Sequence, residues 1–214
     1  MGLSRLFALL IIVASFSVSV VFFPSMPETM VSHWGLQGEP NGTMPKLAAS
    51  FLLPVLSLVL LFFLEFLPNL DPLKKNYASF MGQYRLFITA LLALLFYLHV
   101  LTLAWNAGYA FNFMQMLAPA FGFFFYILGM LMEKAKMNWF VGIRTPWTMS
   151  NPAIWKKTHA LAGDLFRAAG IIIALGVIMP ELLFPLMIAA VALSIVVPIV
   201  YSFAEYKALE KKAK

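Results

Sequence analysis

Arg144 and His159 are the residues best equipped for chemistry in this chain. They belong to one polar and aromatic segment, Asn138-Trp139-Phe140-Val141-Gly142-Ile143-Arg144-Thr145-Pro146-Trp147-Thr148, followed by Trp155-Lys156-Lys157-Thr158-His159 and Gly163. A guanidinium presents five fixed donors that match a carboxylate or a phosphate. An imidazole beside it is suited to act as a base near neutral pH. No second catalytic partner stands out beyond Asp164, so an enzyme is the weaker reading. The stronger one is capture of an anionic partner, or a loop held in one of two states. A plainer role is also open: Arg144 at headgroup level against lipid phosphate, with Trp139, Trp147 and Trp155 as an interfacial belt. Three tryptophans beside one arginine and one histidine exceed what a belt needs.

A second polar segment, Pro24 to Lys46, holds four prolines and three glycines, the composition of a turn-rich backbone. Asn41-Gly42 is a tight-turn signal within it. His33 and Glu39 are its polar handles, and Trp34 is either a stacking platform for a ligand or an interfacial anchor.

These segments must be positioned by membrane helices. The chain of 214 residues is 62% hydrophobic and 11% charged, against about 25% charged in an average soluble domain. Most of its surroundings are therefore lipid. It has no cysteine, which excludes disulfides and zinc-thiolate sites. Six apolar stretches are long enough to span, at about 5–23, 47–67, 85–105, 112–132, 160–179 and 182–202. The fold expected is an all-α membrane protein, a polytopic bundle of six transmembrane helices.

Lysine and arginine assign the sides. Arg5 precedes the first span, and Lys74, Lys75 and Arg85 lie between the second and third. Lys134, Lys136, Arg144, Lys156 and Lys157 lie between the fourth and fifth, and Lys207, Lys211, Lys212 and Lys214 follow the sixth. The other connections are nearly bare of basic residues. The positive-inside rule then places both termini and the Arg144 segment in the cytoplasm and the His33 segment outside. The net charge of +6 encodes orientation and does not point to direct nucleic-acid binding.

Ser150-Asn151-Pro152 reads as a helix start, a capping side chain with proline at the first helical position. On that helix Lys156, His159, Gly163, Arg167, Gly170 and Ala174 share a face of roughly 80°, expected to point into the bundle. Arg167 needs a partner there, on Asp164 or on another span. His99 reads as a hydrogen-bonded packing residue, and Glu65 lies near the cytoplasmic end of the second span. Pro54 and Pro198 are candidate helix breaks, which a transporter would use. No P-loop, H-E-x-x-H or G-x-S-x-G motif is present. No catalytic residue, metal site or cofactor is expected.

At both polar segments the chain resembles the SdpI family of membrane proteins, together with the small domain of unknown function that often precedes the SdpI domain. The outer match is Pro27, His33-Trp34, Gly38-Glu39-Pro40-Asn41-Gly42 and Lys46. The inner match is Asn138, Gly142-Ile143-Arg144-Thr145-Pro146-Trp147-Thr148, Trp155, Thr158-His159 and Gly163. The resemblance implies two units: residues 1–70, a helical hairpin with the His-Trp loop, and residues 71–214, a four-helix membrane domain with the Gly-Ile-Arg-Thr-Pro-Trp loop. It implies an immunity protein and receptor of the cell membrane that guards against a secreted peptide toxin and signals by holding a small DNA-binding repressor. Contact residues would be His33, Trp34 and Glu39 outside, and Asn138, Arg144, Thr145, Trp147, Trp155, Lys156, His159 and Arg167 inside. A two-state shift of the fifth helix would couple the two sides. The alternative is a transporter or flippase for amphipathic peptide or lipid.

Overall fold

The computed structural model describes residues 3–212; Lys214, counted above with the terminal basic residues, lies outside them. Six long helices carry the spans: α1 (Leu3–Phe22), α2 (Lys46–Leu70), α3 (Met81–Asn106), α4 (Phe113–Lys134), α6 (Pro152–Leu175) and α7 (Pro180–Lys212). A short helix, α5 (Pro146–Ser150), precedes α6, and strands β1 (Thr29–Trp34) and β2 (Pro40–Pro45) join α1 to α2. All six long helices are apolar enough to cross a bilayer. They run through Pro54, Pro119 and Pro198 without interruption, so the candidate breaks at Pro54 and Pro198 do not occur, as proline is tolerated in membrane helices.

Large apolar side chains cover the outside, with Phe62 68% and Val200 61% exposed, the arrangement lipid requires. Four buried apolar clusters lie within the described residues, two of them large. One joins α1, α2 and α3 through Ile12, Leu61, Tyr84, Ile88 and Leu92. The other joins α4, α6 and α7 through Phe125, Ala162, Phe166, Ile173 and Leu183. Without water to drive association in lipid, helices adhere by close packing of small residues and by hydrogen bonds. Both devices are present. Ser19 of α1 binds His99 of α3 at 2.8 Å and donates to the Ser50 carbonyl of α2 at 2.6 Å. A Cβ on Gly122 of α4 would lie 2.4 Å from the Gly170 carbonyl oxygen, and one on Gly129 would lie 2.7 Å from that of Gly163. Both pairs are seven residues apart on their own helices, so two helical turns of α4 and α6 meet backbone to backbone.

The connection between α1 and α2 departs from expectation. It is an antiparallel hairpin in which His33 pairs with Gly42. The turn falls at Gly35–Glu39, where the Gly35 amide donates to the Glu39 carbonyl at 2.7 Å and Gly38 takes a φ of +85°. Asn41-Gly42 makes no turn. A tight hairpin turn there needs positive φ at both residues, and neither has it. Asn41 instead binds the His33 imidazole through its side chain. The hairpin is seated by Asn106 at the end of α3, whose amide both accepts from the Val31 N–H at 2.8 Å and donates to the Val31 carbonyl at 2.9 Å.

α7 extends about ten residues past its expected end. Side-chain pairs one turn apart carry it on, Tyr201 with Glu205 and Lys207 with Glu210.

Candidate functional site

The segment after α4 is folded around Asn138, which is fully buried. Its Oδ1 accepts from the backbone amides of Phe140 and Val141 at 2.9 and 2.6 Å and from the Tyr77 hydroxyl at 3.2 Å. Its Nδ2 donates to the carbonyls of Lys136 and Val141, both at 2.8 Å. Burial first, then the charge of Asp71, raises the Tyr77 phenol above its ordinary value, so it remains a donor. Asp71, itself buried, accepts from the Trp139 amide at 2.8 Å, and Asn76 donates to the Met137 carbonyl at 2.7 Å. The connection between α2 and α3 thus holds the loop from beneath. Asp71, Asn76 and Tyr77 were not legible as site residues, because their role depends on partners more than sixty positions away.

His159 holds the middle of the loop. Its Nε2 accepts from the Ile143 amide at 3.0 Å, and its Nδ1 donates to the Trp155 carbonyl at 2.9 Å. An amide can only donate and a carbonyl can only accept, so the ring is neutral with its proton on Nδ1. Its face stacks on Trp155 at 3.9 Å, and the Trp155 indole donates to the Ala135 carbonyl at 2.8 Å. Gly142 sits directly against the ring. Its φ is +116°, and a Cβ there would lie 2.3 Å from Nε2. With both ring nitrogens engaged, His159 is a positioning residue and offers no free base.

Thr145-Pro146-Trp147-Thr148 is a helix start. Thr145 caps α5: its hydroxyl accepts from the Thr148 amide at 3.1 Å, and the Thr148 hydroxyl accepts in return from the Thr145 amide at 2.9 Å. Pro146 takes the first helical position, where no N–H is needed. Thr145 also reaches Ser202 of α7 at 3.1 Å, and Trp147 packs on Phe203. The loop is therefore pinned to α7 as well as to α6.

Arg144 stands apart from this frame. It is exposed, and one of its donors goes to the Trp139 carbonyl. Among the described residues it has no carboxylate partner. The fixed loop thus presents one unneutralised guanidinium.

The expected inward stripe on α6 is partly corrected. Gly163 and Gly170 are buried against α4 and His159 against the Gly142–Ile143 loop, but Lys156 is exposed. Lys156 instead borders a groove of about 690 Å³ with Lys134, Lys136 and Glu133. Arg167 pairs both ways: with Asp164 at 2.6 Å on its own helix and with Glu133 of α4. The helix start at Asn151 is as expected, its side chain accepting from the Ala153 and Ile154 amides. Glu65 pairs with Arg5 at 2.6 Å.

The remaining expected residues lie at the opposite end of the bundle. His33 and Glu39 are exposed on the hairpin. Trp34 is not a free platform: it is 9% exposed, with one face stacked on Phe113 at 3.7 Å and its edge near Trp105. Among the described residues no three of His, Asp or Glu gather as metal ligands.

Residues 134–202 match the SdpI/YfhL protein family, and residues 10–58 match a domain of unknown function, DUF1648. The chain is 29% identical over 209 residues to the immunity protein SdpI of Bacillus subtilis, covering 96% of this chain and 97% of that one. It is 40% identical over 48 residues to the uncharacterized membrane protein YbgB of the same organism, which is 22% of this chain and 53% of that one. No solved structure matches the chain.

Proposed function

We infer that this chain, a multi-pass membrane protein of the SdpI family with a DUF1648 domain ahead of its SdpI domain, is an immunity protein against a secreted antimicrobial peptide. The observation that carries this reading is the similarity to an immunity protein along almost the whole of both chains. In this reading the hairpin faces outward and meets the peptide through His33, Glu39 and the exposed turn. Both termini and the Arg144 loop face the cytoplasm, as the distribution of lysine and arginine favours. The unpaired Arg144 guanidinium then contacts an acidic group on a cytoplasmic partner. A small DNA-binding repressor held at the membrane would make the protein a receptor as well. The geometry supports binding over turnover at the inner loop, since His159 has no free nitrogen.

The test is survival and membrane potential in peptide-sensitive cells expressing the wild type, Arg144→Ala, or a His33→Ala/Glu39→Ala double variant, each checked for insertion. Protection by the wild type and loss in the hairpin variant support the reading. Protection that persists in Arg144→Ala would separate immunity from signalling. A wild type that fails to protect overturns the proposal.

A further inference from the structure

At the hairpin end a cavity of about 290 Å³ lies between the hairpin and the outer turns of α2, α3 and α4. Its lining changes character along its depth. Ser32, His33 and Trp34 form the end nearest the hairpin; the helix walls are mostly apolar, with Leu52, Leu53, Leu98, Met114 and Leu117 among them and Thr102 as their polar side chain. Leu53 lies seven residues into α2 and Leu98 eight residues before the end of α3, so the walls reach about 10 Å along the helices from the hairpin. Leu52 lines the cavity and is 52% exposed on the flank of α2, so the space is reached from the side that lipid covers. Trp34 lines it too, and its buried indole N–H finds no acceptor among the described residues. A buried donor of this kind is normally paired.

We propose that this cavity seats one acyl chain of a membrane lipid, with the ester carbonyl at its head accepting from the Trp34 indole. The shape requires a long alkyl group that enters from the bilayer and runs along the helices. The unpaired donor requires an acceptor at the shallow end of that group. A glycerol ester supplies both. The inference stands apart from the immunity reading, since it concerns lipid and not the peptide.

The full chain would be reconstituted in vesicles of phosphatidylethanolamine and phosphatidylglycerol, doped with a phosphatidylethanolamine bearing a diazirine in one acyl chain. Labelled peptides would be mapped after photolysis. Labelling should concentrate on Leu52–Leu53, Leu98 and Met114–Leu117. Leu53→Trp, which fills the cavity, should remove most of it. Trp34→Phe keeps the ring stack but lacks the N–H and should lower labelling about three- to tenfold, the range expected for one net hydrogen bond. An ether-linked analogue, which lacks the carbonyl, should show the same reduction on the unaltered protein and needs no variant to fold. Labelling spread evenly over all lipid-facing helices, or equal for ester and ether lipids, would overturn the proposal. So would displacement of the label by an antimicrobial peptide that leaves the vesicles intact, which would assign the cavity to the peptide.

Discussion

Asn138 carries more of the Arg144 loop than either residue with evident chemical potential. Asn138→Ala takes the acceptor from the part-buried amides of Phe140 and Val141, at about 1–3 kcal/mol each, so a loss of about 2–6 kcal/mol is expected in thermal unfolding in detergent. An unchanged melting temperature would show that the hub does not form. Gly142→Ala forces a left-handed conformation on a residue with a Cβ and drives that atom into the His159 ring. It should cost about 1–3 kcal/mol, again read by melting. Arg144→Ala is the contrast. The side chain is exposed and its loss removes a single hydrogen bond to Trp139, so stability should stay within about 0.5 kcal/mol. Any loss of protection in that variant then reports function and not folding.

Among the elements, α4 and α6 are packed backbone to backbone. A shift of α6 alone was the simplest coupling device to imagine from its small-residue face. The structure gives that face a partner of its own kind, with Gly122 and Gly129 set against Gly170 and Gly163 and the Glu133–Arg167 ion pair beside them. Sliding one helix along the other would drive side chains into backbone, so any motion that links the two ends must carry both helices. Gly129→Ala would place its Cβ 2.7 and 2.8 Å from backbone atoms of Gly163 and Arg167. It should destabilise by about 1–3 kcal/mol, as overpacking does. Gly82→Ala in α3 meets no atom within 4 Å and should be neutral or stabilising by about 0.5–1 kcal/mol. Equal effects for the two in the same melting assay would remove the close-approach argument.

For the molecule as a whole, the two candidate sites lie at opposite ends of a bundle as long as a bilayer is thick. The hairpin closes one end, while the Arg144 loop and the outer turns of α1 and α7 share the other. Because the chain has no cysteine, single cysteines can report orientation directly. A cysteine at Gln37 on the hairpin should react in intact cells with a membrane-impermeant maleimide, and one at Ser150 should react only after permeabilisation. The reverse pattern would invert the proposed orientation and with it the assignment of outer and inner partners.

Hydropathy and helix capping act over a few residues, and both were legible in the sequence. The six spans follow from runs of apolar residues, the start of α6 from Asn151-Pro152, and the distinct nature of the Gly142–Thr148 loop from its density of polar and aromatic types. What the sequence left open was every contact between distant positions. Asp71 with Trp139, Tyr77 with Asn138, Ser19 with His99 and Glu133 with Arg167 each join residues 34 to 80 apart. The same holds for the burial of Trp34 against Phe113 and the closure of His159 onto Gly142. Such pairs are chosen by how helices dock, through matched glycines and shared hydrogen bonds, and one helix read alone shows only half of each match.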